Sequence, residues 1–130
     1  GINDIIHPVG CDINPFRPMS DLPTAEELID GLKWYVDRAH ALGLSVYIGT
    51  LLPIEGWRTY APFREELKNQ VNEWIRLTDG FEGCIDFDLA VQDPDHPAAF
   101  KAGYNSGDHL HPSGAGYKAM ADAVPKSFLY

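Results

Sequence analysis

Ser45-Val46-Tyr47-Ile48-Gly49-Thr50-Leu51-Leu52 is almost unbroken in apolar and β-favouring residues until Pro53 ends it. A run that long, with little polar alternation, is what a strand buried on both faces of a parallel sheet looks like. Just upstream, Thr24-Ala25-Glu26-Glu27 reads as a capping box. Leu28, Leu32, Tyr35, Val36, Ala39 and Leu42 then recur at helical spacing, and Gly43 suits the helix end. Downstream, residues 54–62 form a loop that contains Trp57 and Tyr60. Phe63, Leu67, Val71, Trp74 and Ile75 mark a second helix ending near Asp79-Gly80, and Gly83 to Leu89 reads as a second buried strand. Asp93-Pro94-Asp95-His96-Pro97 opens a long irregular segment that reaches Ser113. The last helix starts there, turns Tyr117, Met120, Ala121 and Val124 inward, and stops at Pro125.

Strands alternating with helices imply an α/β chain with parallel pairing through right-handed crossovers. Two strands give three apolar helix stripes too little sheet to cover, so further strands are expected upstream of Gly1. Residues 7–23 carry four prolines and no periodicity, and read as one long loop.

The 130 residues are 45% hydrophobic, which is globular, and fit one domain spanning 1–130. Ten basic side chains face nineteen acidic ones, for a net charge of −9. No basic patch is present to meet phosphates, which argues against nucleic acid as a partner. No stretch is apolar for long enough to span a bilayer, and no signal-peptide pattern stands at the start. Cys84 sits in the strand-like run Cys84-Ile85-Asp86-Phe87 as a small buried hydrophobe, whereas Cys11 lies in the Pro-rich loop. Pairing of the two stays open, and two cysteines fix no compartment.

The strongest chemical signal is Asp108-His109-Leu110-His111-Pro112-Ser113-Gly114-Ala115-Gly116-Tyr117. An acid three positions before a histidine, at the mouth of a helix, can accept from the imidazole Nδ1–H and leave Nε2 free as a general base. The same spacing also suits capping groups on a solvated turn. Gly1-Ile2-Asn3-Asp4 is a second signal: an Asn held in a turn after a strand can donate to a developing oxyanion, or simply cap the turn.

Taken together with the Thr-Leu-Leu-Pro strand end, Val71-Asn72-Glu73-Trp74 and Asp86-Phe87-Asp88, these blocks resemble the SGNH hydrolase (GDSL-type esterase/lipase) family. The likeness runs in order and spacing over essentially the whole chain. It is most specific in Ser106-Gly107-Asp108-His109-Leu110-His111-Pro112 and the Gly114-x-Gly116-Tyr117 that follows. The resemblance implies a flavodoxin-like three-layer α/β/α sandwich with a parallel sheet and the site at the C-terminal strand ends. It implies a carboxylic ester hydrolase in which Asn3 is the oxyanion donor, His111 the base and Asp108 the acid that orients it, with no metal or organic cofactor. The family's nucleophilic Ser stands in a Gly-Asp-Ser block upstream of the Asn block. Ser20, Ser45, Ser106, Ser113 and Ser127 have no such setting, and Ser113 reads as a helix N-cap.

The chain therefore reads as the C-terminal part of one SGNH hydrolase domain, with its N-terminal strands absent and a complementary N-terminal fragment of the same enzyme as partner. The expected substrate is a short-chain or acetyl ester, small or polysaccharide-linked. The chain looks most like the secreted bacterial branch that includes esterases encoded beside xylan-degrading enzymes, so an extracellular location is expected. Loops 7–23 and 54–62 are expected to border the cleft, with Phe16, Trp57 and Tyr60 as candidates to line an acyl or sugar pocket.

Two alternatives stand beside this reading. One is a metal-dependent hydrolase using Asp108, His109 and His111, with Asp86, Asp88, Asp93, Asp95 and His96 as further ligands; Asp86 and Asp88 would share a strand face. No closed ligand spacing such as H-E-x-x-H accompanies it. The other is a binding module that kept the fold and lost the nucleophile. A Cys11–His111 pairing is a further, thinner option.

Overall fold

The capping box at Thr24 forms as expected. The Thr24 hydroxyl accepts the Glu27 backbone N–H at 3.2 Å, and the Glu27 carboxylate accepts the Thr24 N–H at 2.8 Å. In the computed structural model, which describes residues 1–9 and 16–129, this box starts a helix over Ala25–Ala41. Gly43, at φ +73°, turns the chain out of it. The described elements run α1 (Ile2–Ile6), α2 (Ala25–Ala41), β1 (Tyr47–Gly49), α3 (Pro62–Leu77), β2 (Gly83–Ile85), α4 (Phe87–Val91), β3 (Gln92–Asp93), β4 (His96–Phe100) and α5 (Gly114–Asp122). Short 3₁₀ turns lie at Met19–Asp21 and Lys126–Phe128.

β1 and β2 pair in parallel, with Ile48 opposite Cys84, and the Thr50 N–H extends the ladder to the Ile85 carbonyl. Ile48 faces α2 and α3, joining Val36, Val71, Ile75 and Phe81 in one cluster. The opposite face is close-packed by aromatic rings. A Cβ on Gly49 would lie 2.5 Å from the Phe87 ring, and one on Gly83 would lie 2.4 Å from Phe128. Only glycine fits at either place. Helices thus cover one face of a small parallel sheet, and Phe87 and Phe128 cover the other.

The strand expected over 45–52 is shorter because a side chain replaces its partner. Asn72 is fully buried; its Oδ1 accepts the Leu51 N–H at 2.7 Å and its Nδ2 donates to the Leu51 carbonyl at 2.8 Å. Both ladder groups of Leu51 are satisfied without a neighbouring strand.

The strand expected over 83–89 ends at Ile85. Asp86 turns back to accept the Leu89 N–H at 3.2 Å and caps α4, while the Asp88 N–H goes to the Thr50 hydroxyl at 2.8 Å. The segment expected to be irregular holds an antiparallel hairpin, β3 with β4, closed by Asp93 opposite His96. Its Asp-Pro-Asp-His-Pro turn reads as loop because five residues carry no alternation. Among the described residues no helix is long and apolar enough to cross a membrane.

A second cluster, Ile5, Ile6, Ile54, Leu67 and Leu110, joins α1, the segment after β1, the start of α3 and the loop before α5. Full burial of each Ile there stabilises by about 1.5–3 kcal/mol. This cluster packs α1, which carries Asn3, against the loop that carries Asp108 and His111.

Candidate active site

Residues 103–113 fold into a loop that satisfies itself. Gly103 (φ +82°) and Gly107 (φ +109°) take the turns only glycine adopts freely. Asn105 Oδ1 accepts the Gly107 N–H at 2.7 Å, and Ser106 N–H donates to the His111 carbonyl at 2.8 Å. Ser113 caps α5, accepting the Gly116 N–H, and its hydroxyl donates back to the Gly103 carbonyl at 2.7 Å. Leu110 is buried between two exposed residues, His109 and His111.

Asp108 is the hub. Its Oδ1 accepts the N–H groups of Leu110 and His111, each at 2.9 Å, and the Ser106 hydroxyl at 3.1 Å. Its Oδ2 stands 2.6 Å from His111 Nδ1. The His111 side chain first, then these two backbone N–H groups, hold the Asp108 carboxyl well below the usual carboxylate range. An ionised Oδ2 requires the proton on Nδ1, which leaves the Nε2 lone pair as a base. The ring is 63% exposed, so its Nε2 is reachable from outside.

Asn3 lies on α1 and not in a turn, with its side chain exposed. Donors from elsewhere in the fold tie down the end of that helix. The Thr59 hydroxyl donates to the Ile6 carbonyl at 2.8 Å, and the buried Arg64 guanidinium donates to the carbonyls of Ile5 and Val9. These contacts use carbonyls the short helix cannot pair internally. Ile2 and Leu110, each next to one candidate residue, line the same apolar cavity of about 140 Å³ with Thr50, Phe87 and Met120. The Asn3 helix and the His111 loop thus border one cavity.

The remaining candidates separate. Phe16 is 97% exposed. Trp57 and Tyr60 pack against the Ile5–Ile54 cluster, where burial first, then the charges of Glu65 and Glu55, push the Tyr60 phenol up. Cys84 carries a free thiol raised by burial, and Cys11 lies outside the described residues. The metal ligand set does not assemble: among the described residues no three His, Cys, Asp or Glu side chains are placed to hold an ion. His109, with φ +63°, lays its ring on Gly56, where a Cβ would lie 2.7 Å from it. Asp86 and Asp88 do not share a strand face; Arg76 takes both, each at 2.8 Å. His96 pairs with Glu55 at 2.9 Å.

Arg64 and Thr59 act as supports outside every motif block, and Asn72 and Ser106 fall within such blocks without a role assigned there. Arg64 and Asn72 leave a trace in the sequence, since both fall on the buried stripe of α3 with Leu67, Val71 and Ile75. A charged or amide residue at an inward position must have a partner. Among the described residues no serine hydroxyl is bonded to His111: that of Ser106 goes to Asp108 and that of Ser113 to Gly103.

No curated protein matches the chain. A family does, described as GDSL-like Lipase/Acylhydrolase, and the match covers residues 1–119, taking in α1, the parallel pair and the Asp108–His111 loop. The chain belongs to the GDSL-like lipase/acylhydrolase family.

Proposed function

We propose that the chain supplies the base and oxyanion side of a serine ester hydrolase, with the nucleophilic Ser on a segment N-terminal to Gly1. Membership of an acylhydrolase family supports ester hydrolysis as the general activity. The observation that carries the finer reading is the 2.6 Å Asp108–His111 contact, which leaves Nε2 free.

In this mechanism His111 Nε2 takes the proton as Ser attacks the ester carbonyl, and Asp108 holds the imidazolium. The Asn3 amide, with backbone N–H groups, donates to the oxyanion. The leaving alcohol takes the proton from His111, and water, activated the same way, hydrolyses the acyl-enzyme. The substrate of this reading is an acetyl or other short-chain ester.

Among the described residues no strand pairs with the other edge of β1, which supports a further strand beside it. Thr50 N–H and the Val46 carbonyl bond toward β2, so by alternation Tyr47 and Gly49 turn their backbone groups the other way. A groove of about 400 Å³ lies along that edge, walled by Leu28, Leu32, Tyr35 and Ile48, with Gly1 among its lining.

The test is fluorophosphonate labelling of the whole purified protein, read by peptide mass spectrometry. A single labelled serine outside residues 1–130, lost in His111→Gln, is expected. Label on Ser106 or Ser113, or none on any associated chain, refutes the mechanism; the second result favours the binding module.

A further inference from the structure

We propose that Ser106 is a positioning residue for the Asp108–His111 pair, its hydroxyl fixing the carboxylate so that Oδ2 points at Nδ1. The inference rests on the reading of His111 as the base. Asp108 Oδ1 has two backbone donors, Leu110 N–H and His111 N–H, which lie on adjacent residues and approach from one stretch of chain. Both hold Oδ1 from the residues that follow Asp108. The Ser106 hydroxyl, at 3.1 Å, is a third donor from a separate residue on the other limb of the loop.

Ser106 is itself held by the residue it serves, because its N–H donates to the His111 carbonyl at 2.8 Å. The following turn, Gly107 at φ +109° with its N–H on Asn105 Oδ1 at 2.7 Å, folds the Ser106 side chain back onto the acid. Three donors then hold Oδ1, and the remaining oxygen faces the imidazole at 2.6 Å. The arrangement also says what Ser106 does not do. Its proton is directed at the orienting acid and not at Nε2, so the hydroxyl is not poised for attack.

The test is proton and ¹⁵N NMR of the full chain, which needs no substrate. The His111 Nδ1–H signal in the wild type should exchange slowly with water. In Ser106→Ala its exchange should quicken about two- to fivefold, the scale of one modest hydrogen bond at a partly exposed site. Ser106→Thr, which keeps the hydroxyl, should restore the wild-type rate; a merely structural role for this exposed residue predicts no such rescue. Unchanged exchange in Ser106→Ala, or failure of Thr to rescue, overturns the inference and leaves the base assignment standing. Absence of a protected Nδ1–H in the wild type overturns both.

Discussion

Replacing Asp108 by Asn changes no volume and removes one charge, yet the loop dictates a severe effect. Oδ1 accepts three donors: two backbone N–H groups at 2.9 Å and the Ser106 hydroxyl at 3.1 Å. The carboxamide oxygen must take that place, since an NH₂ group there would face the two N–H donors at the cost of about 1 kcal/mol or more for each bond lost. The NH₂ then occupies the Oδ2 position, 2.6 Å from His111 Nδ1 in the wild type. It donates where the acid accepted, so Nδ1 becomes the acceptor and the proton moves to Nε2. The base is blocked by tautomer, with the geometry intact. An equivalent change in serine proteases costs about 10⁴ in turnover. With His111 and Asp108 partly exposed, a loss of about 10²–10⁴ is expected here. The assay is hydrolysis of a chromogenic acetate ester by the whole enzyme, beside ¹⁵N shifts of the imidazole. Activity within threefold of wild type, or a spectrum still showing Nδ1–H, would refute the reasoning.

Other consequences follow from the same contacts. Asn72→Leu keeps the branched shape and strands both backbone groups of Leu51; denaturant unfolding should show a loss of about 2–5 kcal/mol. Gly49→Ala pushes a methyl into the Phe87 ring, 2.5 Å away, and should cost about 1–3 kcal/mol, relieved in part by Phe87→Leu. Gly56→Ala meets both the His109 ring and its own φ of +93°, so a drop in melting temperature is expected that His109→Ala only partly recovers. Asp108 is held below the usual carboxylate range, so its stabilising contribution is present above the ordinary carboxylate value. It is lost as pH falls through the depressed one. Urea midpoints between pH 5 and 2 should therefore fall more steeply in the wild type than in Asp108→Asn.

The sequence made the local elements readable where short-range chemistry decides them. The Thr24–Glu27 box, the Gly43 exit and the Ser113 cap need only neighbours within a few residues, and all three form. The Asp108–His111 contact was legible for the same reason, being separated by three positions. What escaped the reading depends on partners far along the chain. The strand after Gly83 stops because Thr50 draws in Asp86 and Asp88, 36 and 38 residues away. Arg64 looks like a surface charge until Ile5 and Val9 are seen beneath it. Asn3 read as a turn because an isolated five-residue helix is marginal on propensity alone; buried Ile5 and Ile6 supply what propensity lacks.

This difference in range divides the candidate site into two kinds of machinery. The base side closes within a single loop, by hydrogen bonds between residues two and three apart. The helix that carries Asn3, the proposed oxyanion donor, is held by contacts spanning 53 to 59 residues, from Thr59 and Arg64 to the carbonyls around α1. Closing the short loop costs little chain entropy, whereas the long contacts exist only while the tertiary fold does. Mild heating or denaturant should therefore detach Asn3 while Asp108 still grips His111. Under the proposed mechanism, charge stabilisation would fail first and proton transfer only later.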